Sequence, residues 1–203
     1  MSEKVKLERL LTPVGEAMWA HVHVPKKPFE DKGEAKFMID VVFDPKDPAW
    51  APWVDGLRKQ LAALPVQTNK ATGEKMPKQS PVKRELDAKD EPTGRLIATF
   101  KTSERFKPGV FDKFNRPIPP TILIGNGSKV KVAYSPNTYD AFGGGINFYL
   151  NAIQVLELVK YQAQSADNYG FTGEELKPGE ADPYAEANAI GVAQNPDADD
   201  PGF

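Results

Sequence analysis

The sequence predicts a mainly β protein, a small barrel of five or six short strands interrupted by one helix and followed by an acidic tail. Three observations lead there. The 16 glycines and 19 prolines among 203 residues mostly separate short apolar runs, the placement expected of turns. Those runs alternate with the period of strands that face a core on one side. Only one segment carries the three- and four-residue spacing of an amphipathic helix.

Residues 16 to 24 set Trp19, His21 and His23 on one face and Met18, Ala20, Val22 and Val24 on the other, which makes a first strand. From 35 to 43, Phe37, Ile39, Val41 and Phe43 oppose Lys36, Met38 and Asp40, a second strand buried on one side. The helix follows. Asp47 can cap it, Pro48 suits a first helical position, and Trp50, Trp53, Val54, Leu57, Leu61 and Leu64 form its apolar stripe before Pro65 ends it. That stripe assigns both tryptophans to the core. Residues 66 to 91 are rich in lysine and proline without a sustained period and read as a mobile loop. Strand patterns return at 95 to 102, 129 to 134 and 146 to 159, the last long enough to bend around a barrel, with a short sixth candidate at 121 to 124. This count suits an OB-like barrel better than a parallel α/β sheet.

Charge divides the chain in two. The net charge of −2 hides a body, residues 1 to 161, with 25 basic and 19 acidic residues, and a tail, 162 to 203, with 1 and 9. The tail has few large apolar side chains and is expected to be disordered, because it cannot bury enough surface to offset the entropy of ordering. A flexible chain of that length spans about 35 Å, against a radius of gyration of about 15 Å for the body. It can reach a basic groove of its own body, where its carboxylates imitate phosphates and Phe203 a base.

Several chemistries are excluded or weak. Cysteine is absent, which removes disulfides, Cys-ligated zinc, iron–sulfur clusters and cysteine nucleophiles and makes the cytoplasm the expected compartment. No apolar run approaches the ~18 residues of a membrane helix, so no membrane association is expected. Residues 125 to 129 lack P-loop spacing, and Gly143, Gly144 and Gly145 lack a dinucleotide fingerprint, so both stretches read as turns. His21 and His23 share a face without a third ligand nearby, and neither a metal nor a cofactor is expected. No nucleophile elbow presents a serine to either histidine. Asp87 and Lys89 admit a magnesium-dependent nuclease as a rival reading, against a solvated loop.

What the body offers is cations interleaved with aromatics. From 95 to 116, Lys101, Arg105 and Lys107 alternate with Phe100, Phe106 and Phe111, where Phe100 reads as core and Phe106 and Phe111 flank a turn. Single-stranded nucleic acid asks for both types, because cations track phosphates and aromatic faces stack bases. Lys129 and Lys131 project from one strand face, Lys36 from another, and Tyr134, Tyr139 and Phe142 belong to a glycine-rich hairpin able to close over a strand.

The run from Pro117 through Leu123-Ile124-Gly125-Asn126-Gly127-Ser128-Lys129-Val130-Lys131-Val132, with Gly144-Gly145-Ile146-Asn147-Phe148-Tyr149-Leu150-Asn151-Ala152-Ile153-Gln154-Val155, resembles the phage-encoded single-stranded-DNA-binding proteins with an OB-fold. The acidic end with Asp197, Asp199, Asp200 and Phe203 is similar to their tails and to those of the bacterial proteins. The resemblance covers roughly residues 1 to 160, is strongest from Arg95 to Leu158 and is loose across 66 to 91. It implies a non-catalytic, sequence-independent binder of single-stranded DNA in phage replication and recombination, acting in the host cytoplasm. It also implies a tail that competes with DNA and contacts a polymerase or helicase-primase. Two rivals stand beside it, the nuclease and an adaptor barrel that binds proteins only. The tail can lie in its own groove or in a neighbour's, the second giving a homodimer that DNA dissociates. DNA and RNA are not separated by these features.

Overall fold

The computed structural model describes residues 8 to 28, 33 to 69 and 72 to 161. Eight strands and one helix occur among them: β1 (Leu10–Leu11), β2 (Gly15–Lys26), β3 (Lys36–Phe43), α1 (Ala51–Ala63), β4 (Val82–Leu86), β5 (Pro92–Ser103), β6 (Gly109–Asp112), β7 (Lys129–Tyr139) and β8 (Gly145–Glu157). Five strands close a ring in the order β2-β3-β5-β8-β7, and β7 returns to β2 through Gly15 opposite Val130 and Glu16 opposite Lys129. All its pairs are antiparallel except β5 with β8, joined where Lys101 faces Tyr149. A first strand flanked by the second and fourth, with the third parallel to the fifth, is the OB arrangement. β1, β4 and β6 are additions, lying on β7, β5 and β8.

Alternation fixes which side of each strand faces in. Phe37, Ile39 and Val41 of β3 and Ala98 and Phe100 of β5 point into the ring, with Val130, Val132, Phe148 and Leu150 opposite them. The helix closes this core with Trp50, Val54 and Leu57. Phe43 stacks on Trp50 at 3.9 Å, and Trp53 meets the edges of Phe43, Tyr134 and Phe148 at 5.5 to 6.2 Å. Both tryptophans therefore lie where the helical stripe placed them. The helix itself begins three residues later than its capping signals suggest. The Asp47 side chain accepts from Ala49 N–H at 2.8 Å, and its carbonyl accepts from Trp50 and Ala51. These bonds build a turn ahead of the helix.

The expected mobile loop is the main correction to the fold. Residues 66 to 91 contain β4, whose Val82, Lys83 and Arg84 pair with Ala98, Ile97 and Leu96. The preceding stretch is tied at two points. Lys78 donates to the carbonyls of Leu61, Ala62 and Leu64 at 2.6 to 3.1 Å, supplying a cation to a helix end that has no basic residue in its own last turn. Gln79 exchanges backbone bonds with Gly144 and Ile146. A lysine and an edge strand thus order a segment whose composition carries no period. Two smaller differences follow: residues 121 to 124 form no strand beyond a bridge from Ile124 to Lys160, and β6, too short to show alternation, was absent from the sequence reading. The tail from 162 to 203, with Asp197, Asp199, Asp200 and Phe203, lies outside the described residues.

Candidate nucleic-acid interface

The outward side of β3 and β5 is the open face of the ring. Register sets its rows: Asp40 faces Thr99, Met38 faces Lys101, and Lys36 faces Ser103. On the far side Lys101 pairs with Tyr149 of β8, so a thioether, a cation and an aromatic ring lie in one row. Tyr149 is 41% exposed. Lys83 opposite Ile97 extends the face along β4. Beyond Ser103 the chain turns through Arg105, Phe106 and Lys107, with Phe106 N–H bonded to Ser103 and its ring 70% exposed. Arg105 pairs with Glu34 at 3.4 Å next to Lys36. The cations Lys83, Lys101, Lys36, Arg105 and Lys107 therefore succeed one another along β5 and its turn.

At the other border stands the β7–β8 hairpin. Pairing runs to Tyr139 opposite Gly145, and a 3₁₀ turn, Ala141–Gly143, carries Phe142 at φ 52° with its ring 82% exposed. A non-glycine residue in the left-handed region with a bare aromatic side chain is costly unless something uses it. The three glycines pack this hairpin rather than loosen it. A Cβ on Gly143, itself at φ 93°, would lie 2.6 Å from the Pro77 carbonyl, and one on Gly145 would lie 2.5 Å from that of Gln79.

Three titratable groups lie on β3 and the neighbouring β2. Asp40 is half-buried, its Oδ1 has no hydrogen-bond partner, and desolvation pushes its carboxyl above the usual range against the Thr99 hydroxyl and the Lys83 and Lys26 charges. His21 and His23 are buried. Burial, then the Lys107 charge, holds His23 below the ordinary histidine value, and its Nε2 has no partner. Among the described residues no three His, Asp or Glu side chains gather as metal ligands. Asp87 serves a turn, its carboxylate accepting from the N–H groups of Lys89 and Glu91 at 2.8 and 2.9 Å.

Of the residues singled out from the sequence, Lys36, Lys101, Arg105, Phe106, Lys107, Tyr139 and Phe142 surround one face. Lys131 and Phe111 do not join them. They flank Gln154 of β8, five residues and about 16 Å along the strand from Tyr149. Two further residues are engaged within the protein. Tyr134 is 4% exposed, and its hydroxyl accepts from Trp53 Nε1 at 2.7 Å, so its ring belongs to the core. Lys129 pairs with Glu16 at 2.8 Å, its side chain 40% exposed, and with Arg95 it holds the Glu16 carboxyl below the usual range. Sequence reading missed Lys83, Met38 and Tyr149. Tyr149 had a signal, since it alternates out of register with Phe148 and Leu150 on a strand already recognised.

Comparison with known proteins is informative at the level of fold. No family model matches the sequence, and no curated protein matches it. Among solved structures, gp2.5, a single-stranded DNA binding protein encoded by bacteriophage T7, superposes with a TM-score of 0.56 at 20% identity over 87% of this chain and 100% of its own. The single-stranded DNA-binding protein from bacteriophage Enc34, in a C-terminal truncation, gives 0.55 at 20% identity over 73% of this chain and 85% of its own. The same Enc34 protein in complex with ssDNA gives 0.54 at 16% identity, covering 77% and 97%. The fold of this chain is therefore similar to that of these two bacteriophage single-stranded DNA-binding proteins.

Proposed function

We propose that this protein binds single-stranded DNA without sequence preference, along the outward face of β3 and β5. The observation that carries the reading is the row Met38–Lys101–Tyr149 between flanking cations and the bare Phe142 ring. It meets the two needs of a single strand, charge for phosphates and flat apolar faces for bases. In the OB-fold, that face and the hairpin between the fourth and fifth strands are where oligonucleotides bind. The likeness to the phage proteins supports the same assignment.

In this reading the protein is not an enzyme. It coats and protects single strands during phage replication and recombination in the host cytoplasm. The segment 162 to 203, with 9 acidic residues against 1 basic, competes with DNA for the cationic face and recruits replication proteins such as a polymerase or helicase-primase. The test is fluorescence anisotropy of a labelled 30-nucleotide oligomer with the full chain and with a chain ending at Tyr161, each across a salt series. Four to six phosphate contacts give a log–log slope of about −3 to −4, and the shortened chain is expected to bind more tightly. A slope of zero in both would remove the electrostatic face. Binding no stronger than that of a protein of matched charge would leave the adaptor reading in its place.

A further inference from the structure

Between β4, β5 and the start of β8 the open face deepens into a niche of about 210 Å³, bordered by Lys83, Thr99, Lys101, Tyr139 and Asn147. Its walls are fixed by the backbone. Gln79 N–H donates to Gly144 at 2.8 Å and its carbonyl accepts from Ile146 at 3.2 Å, while Thr99 N–H reaches the Pro81 carbonyl at 3.0 Å. A Cβ on Gly145 would lie 2.8 Å from the Tyr139 hydroxyl, so glycine there lets the ring lie against β8. The Thr99 hydroxyl is engaged by Asp40. The side-chain amide of Asn147 has no hydrogen-bond partner among the described residues, although its backbone pairs with Asn137.

A space of this size accommodates one nucleobase and not a base pair. Two more polar side chains border it, and both are engaged: the Gln79 amide donates to the Pro77 carbonyl at 3.4 Å, and the Ser80 hydroxyl accepts from Val82 N–H at 3.1 Å. The carboxamide without a partner is that of Asn147. A carboxamide offers donors and an acceptor together and can turn over to exchange them. Every base carries a donor beside an acceptor on its Watson–Crick edge: N3–H and a carbonyl in thymine, N4–H and N3 in cytosine, N6–H and N1 in adenine, N1–H and O6 in guanine. One amide can therefore satisfy any of the four. What it cannot satisfy is a base whose edge is already bonded to a partner strand.

We propose that this niche takes one unpaired base of the bound strand, Tyr139 against its face and Asn147 on its pairing edge, and so makes binding selective for single strands without making it selective for sequence. The inference rests on the DNA-binding reading above and deepens it. Lys83 and Lys101 hold the adjoining phosphates, while Asn147 checks that the base is free.

The experiment compares a thymidine 30-mer with a 30-mer of N3-methylthymidine, in which the phosphates and ring faces remain and the pairing edge is blocked. The full-length protein is expected to bind the methylated oligomer about five- to tenfold more weakly, the loss of one or two hydrogen bonds. Its salt slope should not change, because no phosphate contact is lost. Equal affinities would overturn the proposal. Asn147→Leu should bind both oligomers alike, at the weaker level; a variant that kept the wild-type preference would overturn it as well. Should the wild-type protein bind neither oligomer above a charge-matched control, the DNA-binding reading falls and this inference with it.

Discussion

Two tyrosines on neighbouring strands have opposite roles in this structure, and a pair of substitutions separates them. Tyr134 lies in the core, with rings of Phe148 at 4.7 Å, Phe100 at 5.2 Å and Trp53 at 6.2 Å, and its hydroxyl accepts the Trp53 indole N–H at 2.7 Å. Burial raises the pKa of its phenol, so the neutral form is the one that matters. Tyr134→Phe keeps every ring contact and removes one acceptor. The net loss is about 1 kcal/mol for the bond, rising to about 2 kcal/mol if the indole N–H stays without a partner. For a domain of this size that is a drop in Tm of about 2 to 8 °C. Tyr149, opposite Lys101 on the open face, contributes little packing. Tyr149→Ala is expected to leave Tm nearly unchanged and to weaken binding of a thymidine 30-mer about 5- to 150-fold, the equivalent of one lost base stack. Thermal melting by circular dichroism and anisotropy titration give both numbers for both variants. The reasoning is refuted if the effects exchange, with Tyr134→Phe weakening DNA binding at constant Tm or Tyr149→Ala lowering Tm at constant affinity.

Replacing Lys36 and Lys101 together by alanine should reduce the salt slope of DNA binding by about 1.4, or 0.7 for each phosphate contact; titration across a salt series measures it, and an unchanged slope would take both lysines off the phosphate path. Asp40 binds its proton more tightly folded than unfolded. The stability linked to it is therefore present below the unfolded pKa and lost as pH rises through the folded value. Asp40→Asn should raise stability at neutral pH by about 1 kcal/mol and remove that loss, both seen in denaturant unfolding at several pH values. Gly145→Ala would set a Cβ 2.5 Å from the Gln79 carbonyl, which the backbone bonds of Gln79 keep from moving. A destabilisation of about 1 to 3 kcal/mol is expected, measured by the same unfolding experiment.

The ring was legible from alternation wherever one face of a strand is apolar, as in β3, with Phe37, Ile39 and Val41 against Lys36, Met38 and Asp40. The helix was legible from the spacing of Trp50, Trp53, Val54 and Leu57. β4 was not, because an edge strand whose Lys83 and Arg84 are exposed needs no apolar alternation; its order comes from pairing with β5. At the site, composition found the cations but not their partners. Nothing local to Lys129 reveals Glu16, 113 residues away in sequence, and nothing local to Tyr134 reveals the Trp53 indole, 81 residues away. Parity along β7 did place Tyr134 on the face of Val130 and Val132, which already marked it as inward.

Ion pairs, local and long-range, also engage part of the positive charge of the body. Glu16 and Glu85 hold Arg95, Glu16 holds Lys129, and Asp112 holds Arg116. Each pair cancels most of its own field within a few ångströms. Lys36, Lys83, Lys101 and Lys107 form no salt bridge within 4 Å with any described residue, although Lys83 acts on Asp40 and Lys107 on His23 at longer range, and all four lie along β3, β4, β5 and the turn after it. A strand laid along this face therefore meets four cations without first breaking an ion pair. Four lysines outside any salt bridge, neutralising one phosphate each, give a slope of about −2.8. A slope much steeper than that would require Arg105 to leave Glu34, or the Lys131 and Phe111 patch to lie on the same strand path.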